Sequence, residues 1–216
     1  MEPVYVVGIG PGSREYLLPA AAEAIEKADV LVGARRHLDE FAPAGGKETV
    51  LIENSFTDCL DEIDRKRRAA TVAVLVSGDP CLFSYLGLLL KRVPREQLRI
   101  IPGISSVQLL ASRAGVLLNN AVMASVHGRP LEELREAVAA NRTVALLTDH
   151  EHTPPVIARY LLDNGVSGVT VWTGRNLSYP EESVEELSLE ETAQKEDDGK
   201  TLCVLILEQT KKFSTE

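Results

Sequence analysis

Residues 4–13 of the chain read VYVVGIGPGS, and this segment decides the fold. Its first four residues are apolar and three of them are β-branched, which is typical of a short buried strand. Three glycines and a proline follow, so the strand ends in a tight turn where backbone without a Cβ can approach a ligand. Helix-favouring sequence resumes at Leu17. The segment therefore predicts a strand, a glycine-rich loop and a helix in succession.

The glycine-rich loop does not complete a dinucleotide-binding fingerprint. That fingerprint needs a third glycine where Ser13 stands, and an acidic residue after the second strand to bind a ribose. Here the second predicted strand, 30–32, is followed by Gly33, and Asp29 precedes it. An NAD-dependent oxidoreductase is therefore disfavoured. On this segment alone, a tight turn with no ligand stays an open alternative.

Composition excludes several classes of protein. The chain has 216 residues and a net charge of −9, and this acidic balance disfavours nucleic acid as a main partner. No apolar run approaches the ~20 residues of a membrane span, and no basic segment precedes the first strand, so we expect neither a membrane anchor nor a signal peptide. Three scattered cysteines predict no disulfide framework and a cytoplasmic location. His150 and His152 lack a set of ligating partners, so no metal site is predicted.

Strands and helices alternate along the chain, which predicts parallel sheets flanked by helices. Two asparagines at 119–120 mark the point where a second series of elements begins. We predict an α/β fold of two domains with mainly parallel sheets, residues 1–117 and 118–216. The pattern also predicts a helix over 82–90 and a strand over 169–172.

Loops that carry glycine or polar residues follow six of the predicted strands. In open α/β sheets, ligands bind beyond the carboxyl ends of the strands. One such loop is weak evidence, but six of them indicate a ligand cleft between the two domains, lined partly by backbone. The six loops are residues 8–12, 77–80, 102–106, 127–129, 148–150 and 173–175.

Three of these loops carry a family resemblance. Residues 7–12, 77–80 and 102–106 resemble the signature loops of the tetrapyrrole methylases, which are S-adenosylmethionine-dependent methyltransferases, and their order and spacing match over the whole chain. Residues 32–38 and 125–129, with Leu147-Thr148-Asp149 and the Thr-Pro-Pro that follows, are similar to the branch of the family that methylates C5 of cobalt-precorrin-7 in cobalamin biosynthesis.

The resemblance implies that S-adenosyl-L-methionine binds between the two domains and leaves as S-adenosyl-L-homocysteine. By position in the family motifs, the first domain contributes residues to the methionine and ribose part, and the second domain contributes residues to the adenine side. The cofactor-binding residues implied are Pro11, Gly78, Asp79, Leu82, Ser105, Ser106, Leu147, Thr148, Gly174, Thr201 and Leu202.

The substrate implied is a tetrapyrrole with several carboxylates, held in a trough beside the first domain. Arg35, Arg129 and Arg175 follow predicted strands, so they are candidates to bind those carboxylates, although surface ion pairs suit the same positions equally. His127 is a candidate substrate contact or base, or else a hydrogen-bonded structural group. The sequence identifies no catalytic base.

Partners and alternatives also follow from the resemblance. It implies a homodimer, and a possible separate subunit that methylates C15 and decarboxylates the same substrate. We therefore expect C5 methylation without decarboxylation from this chain. The alternatives are a methyltransferase of the same fold that acts at another tetrapyrrole position or resembles diphthine synthase, and a nucleotide-binding module without catalytic activity.

Overall fold

The computed structural model describes residues 2–43, 46–52, 56–140 and 143–210. The chain divides into two compact units, Met1–Ser105 and Ser106–Glu216, each of which is an α/β unit. The predicted boundary at residue 117 lies beyond a helix, Ser106–Ala114, that groups with the second unit because it packs on strands of that unit. No helix of the described ranges is long and apolar enough to cross a membrane.

The first unit contains a five-stranded sheet in which every neighbouring pair is parallel, as predicted. Its order is β3-β2-β4-β1-β5. The strands are β1 Val4–Gly8, β2 Val30–Gly33, β3 Glu48–Leu51, β4 Val72–Val76 and β5 Leu98–Ile101. The helices are α1 Pro19–Lys27, α2 Arg35–Phe41, α3 Phe56–Lys66 and α4 Leu86–Leu89, with short 3-10 turns at Arg14–Tyr16 and Arg95–Gln97.

Apolar side chains fill both faces of this sheet, which is why its central strands are continuous apolar runs. All five residues of β4 are buried. Because successive side chains of a strand point to opposite faces, Val72 and Val74 pack in one core with Ile63 of α3, while Ala73 and Leu75 pack in a second core with helix α1. The two cores fix β1 and β4 at the centre of the sheet.

The helix predicted over 82–90 is wrong in its first half. Helix α4 begins only at Leu86, because Phe83 has a φ of +48°, in the left-handed region that a right-handed helix excludes. The hydroxyl of Ser84 donates to the carbonyl of Pro80 and accepts from the N–H of Leu86 at 3.1 Å. Residues 80–84 therefore form an irregular loop beyond the end of β4.

The second unit contains a five-stranded mixed sheet in the order β6-β7-β10-β8-β9. Its strands are β6 Val122–Ser125, β7 Val144–Leu147, β8 Val169–Arg175, β9 Ser183–Ser188 and β10 Cys203–Gln209. Its helices are α5 Ser106–Ala114, α6 Leu131–Ala139, α7 Pro154–Asp163 and α8 Leu189–Ala193. The inward residues of the sheet form one core with α6 and α7.

Parallel pairing holds only for β6 and β7 in this sheet. Strand β10 is antiparallel to both β7 and β8, and β9 is antiparallel to β8. The expectation of mainly parallel sheets is confirmed for the chain, because five of the eight strand pairs in the described ranges are parallel and three are antiparallel. The β8–β9 pair is antiparallel because the segment between these two strands is shorter than the dozen or so residues that a parallel crossover requires. Strand β8 also extends to Arg175, beyond the predicted end at residue 172.

Candidate functional site

Three loops of the first unit interlock beyond the adjacent carboxyl ends of β4, β1 and β5. The N–H of Gly78 donates to the carbonyl of Gly10 at 2.8 Å, which joins the β1 and β4 loops. A Cβ on Gly8 would lie 2.6 Å from both the Gly78 oxygen and the Gly103 nitrogen. A Cβ on Gly103 would lie 2.2 Å from the Gly78 oxygen. Gly8 and Gly103 are therefore required because the loops contact each other closely. The sequence had indicated a different reason for glycine in these loops, which was close approach to a ligand.

The Asp79 side chain joins the β4 loop to the β5 loop by hydrogen bonds. Its Oδ1 accepts from the N–H of Cys81 at 2.7 Å, and its Oδ2 accepts from the N–H of Gly103 at 3.2 Å. A carboxylate offers about four lone-pair sites, so two acceptor sites remain for a ligand donor. The carboxylate thus has a structural role that its position in the sequence did not reveal.

The remaining cofactor candidates of the first unit lie in the same three loops. Pro11 is buried in the β1 loop, and the N–H of Leu82 donates to the Asp79 carbonyl at 3.1 Å. Ser105 is buried after β5, and its Cα lies 3.3 Å from the position of a Cβ added to Gly78. The next residue, Ser106, is the first residue of α5 and belongs to the second unit. The structure therefore brings Pro11, Gly78, Asp79, Leu82 and Ser105 to one edge of the first sheet.

A polar cluster lies at the ends of β2 and β4 in the first unit. Arg36 Nη2 donates to Ser77 Oγ at 2.6 Å, and His37 Nε2 lies 2.9 Å from the same oxygen. Burial, and then the charge of Arg36, lower the pKa of His37 to about 4, although the backbone of Leu75 acts in the opposite direction. Arg35, the predicted substrate contact, is the exposed first residue of α2.

The candidates of the second unit also meet at one sheet edge. Antiparallel pairing sets Val204 of β10 opposite both Leu147 of β7 and Gly174 of β8, so the carboxyl ends of β7 and β8 flank the start of β10. The Thr148 hydroxyl donates to the Cys203 carbonyl at 2.7 Å. Just before β10 lie Thr201, which is half-buried, and Leu202, whose apolar side chain is 45% exposed. These five predicted residues are Leu147, Thr148, Gly174, Thr201 and Leu202.

Arg175 lies at this edge, but its charge has a partner. Its Nη1 lies 2.6 Å from Oδ2 of Asp197, whose side chain is only 6% exposed. The N–H of Gly199 donates to the other carboxylate oxygen at 3.0 Å. Burial raises the pKa of the neighbouring Cys203 thiol to about 12, although Arg175 acts in the opposite direction. These contacts indicate that Arg175 forms an ion pair that stabilises the loop before β10.

His127 and Arg129 lie in the exposed turn that follows β6. The N–H of His127 donates to Ser125 Oγ at 3.3 Å, and the N–H of Arg129 donates to the Val126 carbonyl at 3.0 Å. Gly128 between them has a φ of +65°, so it supplies the left-handed residue of the turn. Both predicted substrate contacts are thus presented to solvent by one tight turn of the second unit.

The two other histidines, His150 and His152, follow Asp149 in the loop after β7. His152 Nδ1 lies 3.0 Å from both oxygens of Asp149, and the same carboxylate accepts from the backbone N–H of His152 at 2.7 Å. The pKa of Asp149 is lowered, because the hydrogen bonds from His152 and Glu151 outweigh the effect of burial. Within the described ranges, no three His, Cys, Asp or Glu side chains are grouped to hold a metal ion.

Comparison with known proteins places the chain in a family. The model of the Tetrapyrrole (Corrin/Porphyrin) Methylases matches residues 3–193. The chain belongs to this family. It is 40% identical over 179 residues to a cobalt-precorrin-7 C(5)-methyltransferase from Salmonella typhimurium, which covers 83% of this chain and 87% of that protein.

Two further similarities extend this result. A decarboxylating precorrin-6Y C(5,15)-methyltransferase from Sinorhizobium sp is 34% identical over 166 residues, which are 74% of this chain but only 38% of that longer protein. The crystal structure of the uroporphyrin-III C-methyltransferase from Thermus thermophilus, in complex with S-adenosylhomocysteine, matches with a TM-score of 0.77 at 24% identity and covers 96% of this chain and 97% of that one. This tetrapyrrole methylase has the same fold.

Proposed function

We infer that the chain is an S-adenosylmethionine-dependent methyltransferase that acts on C5 of cobalt-precorrin-7, a tetrapyrrole, in cobalamin biosynthesis. The observation that carries this inference is the 40% identity to a cobalt-precorrin-7 C(5)-methyltransferase over most of both chains. The same-edge placement of the family loops agrees with it. S-adenosyl-L-methionine is the cofactor, and S-adenosyl-L-homocysteine is its product.

The loops of the first unit fit the methionine part of this cofactor. We propose that the two remaining acceptor sites of Asp79 bind the cofactor's ammonium group or a ribose hydroxyl, while Gly78, Pro11 and Leu82 shape the surrounding backbone. The first N–H groups of α5, at Ser106, suit the cofactor's carboxylate, with Ser105 beside them. When bound, the cofactor supplies an electrophilic methyl group on sulfur. The loops then accelerate transfer by holding the reacting atoms in line.

The edge of the second unit fits an adenine ring. We propose that Leu147, Gly174 and the exposed Leu202 supply apolar surface and close backbone approach for the ring faces. Thr148 and Thr201 supply polar groups at the ring edge. The hydroxyl of Thr148 already donates to the Cys203 carbonyl, so its oxygen lone pairs are the part that faces a ligand donor.

The acidic chain requires local cations to bind a polycarboxylate. With a net charge of −9, the average field repels such a substrate, and local arginines must reverse it. We propose Arg35 and Arg129 for this role, with His127 beside Arg129. Arg175 remains a proposal of the same kind, but its ion pair with Asp197 leaves less of its charge for the substrate.

The assembly and location of the enzyme are part of the same proposal. We propose a cytoplasmic homodimer, since two-fold dimers are the commonest oligomers. A separate subunit would then methylate C15 and decarboxylate the substrate, since the longer Sinorhizobium protein named for both reactions matches this chain over only 38% of its length. Light scattering that gives a monomer mass at micromolar concentration would contradict the dimer.

The test is a methyl-transfer assay with the purified chain. Cobalt-precorrin-7 and S-adenosylmethionine that carries a ¹³C-methyl group are incubated with the protein, and the product is analysed by mass spectrometry and NMR. We expect a gain of one methyl group at C5 and no loss of carbon dioxide. Calorimetry with S-adenosylhomocysteine and NAD as alternative ligands is the companion measurement. Methylation at another carbon, or binding of NAD alone, would refute the proposal.

A further inference from the structure

The edge of the first sheet also carries a side-chain cluster that the proposed function does not use. Arg36 and His37 lie in the first turn of α2, directly after β2, and Ser77 directly follows β4. Strands β2 and β4 are parallel neighbours, so their carboxyl ends meet. Ser77 also precedes Gly78, whose N–H donates a hydrogen bond to Gly10 of the β1 loop. The cluster is therefore adjacent in sequence and in space to the proposed cofactor loops.

The hydrogen-bond directions in this cluster form one consistent chain. A guanidinium can only donate, so Ser77 Oγ accepts from Arg36 at 2.6 Å. His37 is 6% exposed, and its lowered pKa keeps the ring neutral at pH 7. A neutral ring has one nitrogen that accepts. With the ring proton on Nδ1, the Ser77 hydroxyl donates to His37 Nε2, 2.9 Å away, and presents its oxygen to Arg36, while the buried Nδ1 has no hydrogen-bond partner in the described part of the chain.

These hydrogen bonds fix the position of the exposed Arg36 guanidinium. His37 is anchored in the buried side of α2, whereas Arg36 and Ser77 are exposed. A guanidinium has five N–H donors, and Ser77 accepts from one of its nitrogens, so a fork remains that matches the two oxygens of a carboxylate. Because the hydroxyl orients the guanidinium in advance, less side-chain entropy is lost when an anion binds.

We propose that Arg36 binds a carboxylate of the tetrapyrrole substrate, and that Ser77 and His37 are positioning residues that hold its guanidinium. This inference rests on the proposed function, since that function supplies a polycarboxylate substrate. It adds a residue to the choice that the sequence suggested. Arg35 and Arg36 are adjacent and both exposed, and the hydrogen bond to Ser77 joins Arg36 to the end of β4.

An exposed arginine at the other end of the same sheet provides a matched control. Arg36→Gln and Arg95→Gln each remove one positive charge from an exposed position of the first unit, but Arg95 lies just before β5, away from the carboxyl ends of the strands. The readout is the Kd of cobalt-precorrin-7 in the presence of S-adenosylhomocysteine, followed by the visible absorption of the tetrapyrrole. We expect Arg36→Gln to weaken binding about tenfold or more, and Arg95→Gln about twofold at most. The Kd of S-adenosylhomocysteine, measured by calorimetry, stays unchanged in both.

Two more variants test the positioning role. Arg36→Lys keeps the charge but lacks the planar fork, so we expect it to restore only part of the lost affinity. Ser77→Ala should weaken tetrapyrrole binding about threefold in the wild-type background and not at all in the Arg36→Gln background, because the hydroxyl acts only through Arg36. Circular dichroism confirms that each variant is folded.

The outcomes separate this inference from the proposed function. Equal losses in Arg36→Gln and Arg95→Gln would overturn the role of Arg36, and an undiminished effect of Ser77→Ala in the Arg36→Gln background would overturn the role of Ser77. If the wild-type protein binds cobalt-precorrin-7 through Arg36 but does not methylate C5, the proposed function fails while this inference stands. A wild-type protein that does not bind the tetrapyrrole overturns both.

Discussion

Acidification should destabilise the protein through His37 before it affects most carboxylates. Burial and Arg36 lower the pKa of His37 from 6.5 to about 4 in the folded chain. Above pH 6.5 neither state binds the proton. As the pH falls from there towards 4, only the unfolded state binds it, so the free energy of unfolding falls. The full difference of pKa corresponds to about 3 kcal/mol, of which about 2 kcal/mol is lost between about pH 7.5 and pH 5.

Urea unfolding at several values of pH in this window measures the loss. Circular dichroism follows the whole chain, whereas Trp172 is the single tryptophan and its fluorescence follows the second unit, which lacks His37. His37→Gln keeps a side chain that can bond to Ser77 but does not titrate. It should therefore remove about 2 kcal/mol of the pH dependence seen by circular dichroism. His127→Gln, at an exposed histidine, is the matched control.

The prediction is tested by comparing how the free energy of unfolding changes with pH in the wild-type protein and in His37→Gln. This comparison is valid both when the two units unfold together and when they unfold separately. In one cooperative transition, dichroism and Trp172 fluorescence shift together with pH. In two transitions, only that of the first unit shifts through His37. In both cases the wild-type protein must lose more stability than His37→Gln between about pH 7.5 and pH 5. Identical pH dependence in the two proteins would show that His37 is not held neutral by its surroundings.

Three further changes address the loops and the substrate. Gly103→Ala places a Cβ 2.2 Å from the Gly78 oxygen, so we expect a loss of about 2 kcal/mol or more in urea unfolding and of cofactor binding by calorimetry, whereas Gly87→Ala, with open space around it, is harmless. Asp79→Ala removes two hydrogen bonds to backbone, and we expect at least tenfold weaker cofactor binding with only about 1–3 kcal/mol of lost stability; a chain that no longer folds would make Asp79 purely structural. Arg129→Ala should raise the substrate KM in steady-state kinetics more than the cofactor Kd, and unchanged substrate affinity would remove it from the proposed trough.

Local patterns in the sequence predicted the first sheet well. The apolar runs of β1 and β4 suit a sheet that is covered on both faces, and together with the alternation of strands and helices they predict a parallel arrangement. The directions of β9 and β10 could not be read in the same way, because the residues of a strand do not encode the direction of its neighbour. The short connection from β8 to β9 indicates the direction of β9.

The sequence located the candidate site but not the partners of its side chains. Strand ends predicted that Asp79 and Arg175 lie at sheet edges, and the structure places them there. The sequence could not predict that the Asp79 carboxylate accepts a hydrogen bond from the Gly103 backbone, or that Asp197 pairs with Arg175. These contacts join residues more than twenty positions apart, where only the folded backbone decides which groups meet. The contact between Arg36 and Ser77, 41 positions apart, depends on the folded backbone in the same way.

The contact among Gly8, Gly78 and Gly103 has a consequence for how the family loops are inherited. Each glycine leaves space for the backbone of another loop. If a larger residue replaces a glycine in one loop, the other two loops must therefore move. The three motifs should therefore pass between relatives as a set, and a chimera that exchanges one loop without the others should fold poorly. Selection for a folded chain alone preserves these glycines. A descendant that had lost methyl transfer would still carry them, so activity in a distant relative must be judged from its polar side chains.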